Sequence, residues 1–123
     1  MRIPKVTKLE SQGSNIKVYF TASEDLDWFR GHFEHCGILP GVAITILVTE
    51  FTTAYSSLDL KKFVVGIPQA KFVNMVFPNT ELCLSISIDM EKLFVKYELT
   101  SADLGVVFSI GRLAFKLGSV KNE

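Results

Sequence analysis

The chain has 123 residues, 48% of them hydrophobic and ten of them Phe, which suits one domain with a real core and excludes a disordered polypeptide. Thirteen Lys and Arg cancel thirteen Asp and Glu. That balance gives no basic field for nucleic acid and no single-sign tail, while little repulsion between apolar surfaces favours self-association. Cys36 and Cys83 stand far apart and fit no metal-ligand spacing, so two free buried thiols are expected and neither a metal nor a cofactor is implied. The first residues, Met-Arg-Ile-Pro-Lys-Val, lack the apolar stretch of a leader. The longest uncharged run, Cys36 to Thr49, is broken by Gly37, Pro40 and Gly41 and is too short to span a bilayer. The expectation is a cytoplasmic protein forming a single domain over residues 1–123.

Along the chain, Lys5–Glu10 and Asn15–Thr21 flank Ser11-Gln12-Gly13-Ser14, whose turn chemistry predicts an opening hairpin. Asp25 to Cys36 mixes Asp, Gly, His and aromatic residues and reads as an ordered loop. Val42 to about Leu58 is rich in Val, Ile and Thr, yet it is too long for an ordinary strand and follows Pro40-Gly41. It is read as a central helix, apolar on nearly all sides and therefore buried. Four strands are predicted beyond it, over Phe63–Val76, Glu81–Met90, Phe94–Ser101 and Val106–Leu117. Pro78-Asn79, Glu91-Lys92 and Asp103-Leu104-Gly105 supply the turns. In the second of these strands Leu82, Leu84, Ile86 and Ile88 alternate with Cys83, Ser85, Ser87 and Asp89, the period-two signature of a sheet with one buried face. The order predicts an α+β fold in which one helix packs on an antiparallel sheet.

The segment Asp25-Leu26-Asp27-Trp28-Phe29-Arg30-Gly31-His32-Phe33 carries a resemblance, which continues without a gap through Glu34-His35-Cys36-Gly37-Ile38-Leu39-Pro40-Gly41-Val42. It resembles the hotdog-fold 3-hydroxyacyl-acyl-carrier-protein dehydratases of the FabA/FabZ type, and most of all their ApeI-like branch. Gly66-Ile67-Pro68-Gln69-Ala70-Lys71-Phe72 and Val76-Phe77-Pro78-Asn79-Thr80-Glu81-Leu82 extend the likeness, which covers roughly residues 25 to 115. The resemblance implies a hotdog: a long helix wrapped by an antiparallel sheet, paired into a homodimer with composite sites. It also implies a hydro-lyase whose partner is an acyl carrier protein bearing a phosphopantetheine-linked 3-hydroxyacyl chain. The product would be a trans-2-enoyl thioester.

Eliminating water needs a base for the α-proton, an acid for the departing hydroxyl, and a donor for the thioester oxygen. His32 matches the family's histidine, and an imidazole is basic near neutral pH. Gly41, just after Pro40, would offer a backbone N–H at the positive end of the helix to the thioester oxygen. The acid departs from the pattern, because Ile46 occupies the position expected to carry Glu, Asp or His. Glu50, one turn later, lies about 40° around the axis and about 6 Å along it, so it faces much the same way. It is read either as a displaced acid or as a half-buried carboxylate at a subunit contact. Glu34, His35 and Gly37 also depart from the family's Pro and Gly, making the loop more polar. Cys36 has no base at a recognisable spacing, and Trp28-Phe29 reads as a loop anchor or a tunnel mouth. Three readings remain open: an active dehydratase, a catalytically impaired member that binds acyl thioesters or supports an active paralogue, and an acyl thioesterase.

Overall fold

In the computed structural model, which describes residues 4–22, 41–60 and 69–116, one helix lies against the inner face of a curved six-stranded sheet. The chain opens with β1 (Val6–Gln12) and β2 (Asn15–Ala22), then enters α1 (Gly41–Tyr55). It continues through β3 (Gln69–Phe72), β4 (Thr80–Asp89), β5 (Phe94–Ser101) and β6 (Val107–Ala114). All neighbouring strands are antiparallel, in the order β1-β2-β4-β5-β6-β3. This is the α+β hotdog architecture expected from the sequence.

The hairpins follow local chemistry. Gly13, with φ at +60°, and Ser14 close β1 onto β2 so that Gln12 faces Asn15. Between β5 and β6, the Asp103 carboxylate accepts hydrogen bonds from the Gly105 N–H at 3.0 Å and from the Ser101 hydroxyl. Those bonds hold the Asp103 carboxyl below its ordinary range and support Leu104 at a φ of 65°. Past that turn, Leu99 faces Ser109 but Thr100 faces Val107, a bulge that accompanies the turning of Phe108 into the core.

Alternation places Ile16, Val18, Phe20, Leu82, Leu84, Ile86, Val95, Tyr97 and Leu99 on the inner face, all buried. Against them α1 buries Ala43, Ile44, Leu47, Val48 and Phe51, with the Phe20 and Phe51 rings 5.3 Å apart. Each large apolar side chain so removed from water contributes about 1.5–3 kcal/mol. Tyr97 shares a 2.9 Å hydrogen bond with the buried Ser109 hydroxyl, and burial raises its phenol above the ordinary range.

The expected strand over Phe63–Val76 is shorter where it is described. β3 ends at Phe72, because the Val73 and Asn74 N–H groups both turn to the Phe108 carbonyl. The Asn74 side-chain amide likewise donates to the Val107 carbonyl at 2.7 Å. Residues 63–68 and Leu117 lie outside the described residues, and β6 ends at Ala114.

Gly111 sets how closely β3 approaches β6. A Cβ there would stand 2.3 Å from the Gln69 carbonyl oxygen and 2.7 Å from the Tyr97 ring. Neither the backbone nor the packed ring can give that much, so Gly111→Ala is expected to destabilise the fold by about 1–3 kcal/mol. Urea unfolding checks this, and an unchanged midpoint would contradict it.

Candidate active site

The central helix carries two stripes. Residues Ala43, Ile44, Leu47, Val48, Phe51 and Thr52 are buried against the sheet. Thr45, Ile46, Thr49, Glu50 and Thr53 form an adjoining, half-buried stripe. Ile46 and Glu50 therefore do share one face, as their spacing of four residues requires. Ile46 presents only hydrocarbon there, whereas Glu50 is the carboxylate of that stripe.

Gly41 is the first residue of α1, the position anticipated for it. The opening N–H groups of any helix have no acceptor within it, and they carry its positive partial charge. No acidic residue lies in the first turn to neutralise them. That end of the helix suits an electron-rich oxygen. His32, the rest of the Gly31–Pro40 motif, Trp28-Phe29, Glu34, His35 and Cys36 lie outside the described residues. Cys83 is buried with a free thiol.

Hydroxyl groups manage the other helix end, where no basic residue stands in the last turn. The Thr52 carbonyl accepts from both the Ser56 N–H at 3.0 Å and the Ser56 hydroxyl at 2.5 Å. The Leu58 N–H donates to the Ser56 hydroxyl and the Leu60 N–H to the Thr53 hydroxyl. Higher up, the Thr49 hydroxyl donates to the Thr45 carbonyl at 3.1 Å. Short β-hydroxyl side chains reach the preceding turn in this way without leaving the helix. Sequence reasoning noticed these threonines as strand formers and missed their role in helix termination.

A family model described as ApeI dehydratase, ApeI-like, matches residues 8–112. The chain belongs to the ApeI-like dehydratase family. A 3-hydroxyacyl-[acyl-carrier-protein] dehydratase FabZ of Bordetella petrii is 26% identical over 121 residues, covering 89% of this chain and 80% of the relative. A FabZ of Clostridium tetani is 35% identical over 91 residues, covering 70% of this chain and 63% of the relative. Among solved structures, the dehydratase heterocomplex ApeI:P from Xenorhabdus doucetiae matches with a TM-score of 0.78 and 25% identity, over 93% of this chain and 97% of the other. Thioesterase superfamily member 2 of Mus musculus matches with a TM-score of 0.65 at 19% identity, over 89% and 85%, a likeness of fold alone. The ApeI-like chain is thus a dehydratase-type hotdog, and the thioesterase reading has the weaker support.

One polar atom of this helix stands apart. The Thr52 hydroxyl is fully buried and has no hydrogen-bond partner among the described residues. An unsatisfied buried hydroxyl carries a desolvation cost, and valine fills nearly the same space with similar helix propensity. Thr52→Val is expected to leave stability unchanged or raise it by about 1 kcal/mol. A lowered melting temperature would show that this hydroxyl has a partner in solution.

Proposed function

We propose that this protein eliminates water from a 3-hydroxyacyl thioester carried by an acyl carrier protein, giving the trans-2-enoyl thioester for fatty-acid or polyene-type synthesis. The observation that carries this reading is the family match across residues 8–112, which spans the segment from Gly31-His32-Phe33 to Pro40-Gly41. In the proposed reaction His32 removes the α-proton. The backbone N–H of Gly41, at the opening of α1, receives the thioester oxygen as negative charge develops on it. Glu50 protonates the departing hydroxyl, directly or through one water. A half-buried carboxylate on the stripe shared with Ile46 supports that role for Glu50.

The reading includes a homodimer and a cytoplasmic location. No helix among the described residues is long and apolar enough to cross a membrane. β3 is a sheet edge with all four residues exposed. Phe72, Val73, Met75 and Phe77, beside that edge, are each half or more exposed. An open edge flanked by apolar side chains is a surface that a second subunit would cover.

A second reading rests on Ile46. A chain with hydrocarbon in the acid's place could bind acyl thioesters without turning them over, or support an active paralogue. The match to a heterocomplex, ApeI:P, makes an unlike partner concrete.

Purified protein incubated with a 3-hydroxyacyl carrier protein is expected to yield enoyl product, measured by mass spectrometry of the carrier. His32→Ala and Glu50→Gln should each lower kcat by about 10²–10⁴. No product under conditions where a FabZ enzyme works would overturn the first reading, and activity recovered only on adding a paralogue would establish the second. The assembly has its own test. Light scattering should report a dimer for the unaltered chain and a monomer for Phe72→Glu/Met75→Glu. A monomeric unaltered chain would exclude the homodimer.

A further inference from the structure

Away from the helix, the outer face of the sheet forms a hollow of about 780 Å³ across β2, β4, β5, β6 and β3. Two cross-strand rows furnish its side chains. One runs Asn15, Ser87, Lys96, Arg112, Gln69; the other runs Lys17, Ser85, Glu98, Ile110, Lys71. Four of these ten are cationic and one, Glu98, is anionic.

The charges are arranged against the stability of the bare sheet. Lys96 and Arg112 face each other directly on β5 and β6, and Lys71 lies diagonal to Arg112 on β3. Like charges directly opposite on neighbouring strands repel, because their Cβ atoms stand only about 5 Å apart. Among the described residues no carboxylate lies within ion-pairing distance of Lys71, Lys96 or Arg112. The nearby acids are otherwise placed. Glu10 faces Lys17 across β1 and β2 and pairs with Lys8 at 3.0 Å, and Asp89 accepts the Glu91 and Lys92 N–H groups.

Arg112 is held ready for an anion. Its Nε donates to the Gln69 Oε1 at 3.0 Å, and its guanidinium carbon sits 5.4 Å from the Phe94 ring centre. Both contacts fix the plane of the group and leave its Nη donors open for a carboxylate. Beside these cations Ile110 is 40% exposed, an apolar side chain in the middle of a charged row.

We infer that this outer hollow docks an acidic, amphipathic helix of a partner protein, independently of the acyl-thioester site. Dimensions favour a helix over a compact anion. The five strands span about 19 Å, with a side chain every 4.8 Å or so. A helix laid across them rises about 5.4 Å per turn and is about 10–12 Å wide, so it sets roughly one residue over each strand. Carboxylates along its flanks meet Lys71, Lys96, Arg112 and Lys17, and one apolar residue meets Ile110. A single phosphate would sit against Glu98 and leave Ile110 and the distant Lys17 unused.

The test is fluorescence anisotropy of the full chain with a labelled 14-residue helical peptide bearing Glu on both flanks of a Leu stripe. Binding is expected at low salt, weakening as ionic strength rises, and falling about tenfold or more in Lys96→Glu/Arg112→Glu. Lys5→Glu, outside the hollow, should bind as the unaltered chain does. Lys96→Gln/Arg112→Gln, checked for folding by circular dichroism, covers the case in which charge reversal unfolds the sheet. No binding, or equal binding to the altered and unaltered chains, overturns the inference. Competition by inorganic phosphate as strong as by unlabelled peptide reassigns the hollow to a small anion and also overturns it. So does preference for a single-stranded oligonucleotide or for anionic phospholipid vesicles.

Discussion

Everything in this fold depends on keeping the apolar stripe of one helix out of water. Helix α1 buries Leu47, Val48 and Phe51 against the inner face of the sheet, and Phe51 meets Phe20 with ring centres 5.3 Å apart. A fifteen-residue segment rich in Val, Ile and Thr has little tendency to be helical by itself. Tertiary burial overrides its propensity. The helix end, half-buried at Thr53 and Ser56, is closed by its own Thr and Ser hydroxyls rather than by a basic side chain.

Most of the fold was legible in the residues because the signals were redundant. Period-two alternation in β4 set which face is buried, and the Gly13-Ser14 and Asp103-Leu104-Gly105 turns set where strands reverse. Where signals conflicted, length decided for helix over strand at residues 41–55. The end of β3 was not legible. It depends on the Phe108 carbonyl accepting two N–H groups from a segment more than thirty residues earlier, and no local pattern encodes that. The outer hollow was hidden for a similar reason. Lys71, Lys96 and Arg112 are unremarkable along the chain and become a cluster only through the registers of β5 with β6 and β6 with β3.

The candidate site was legible as a motif and only partly as geometry. Counting residues was enough to place Ile46 and Glu50 on one helix face, since a rigid helix converts spacing directly into direction. Counting could not say how dry that face is. The half-burial of both side chains supplies that information.

The exchange of an acid for Ile46 has a physical consequence beyond the loss of a proton donor. Position 46 is the sixth residue of α1, already past the first turn within which the helix's positive end acts, so a carboxyl group there would be little perturbed by it. Glu50 lies further along still, so the helix terminus does not set the two positions apart. What separates the two positions is reach, since Glu50 stands one turn, about 6 Å, further along the axis. For Glu50 to act as the proposed acid, that added reach has to be met by a bridging water, which costs little when it is well held.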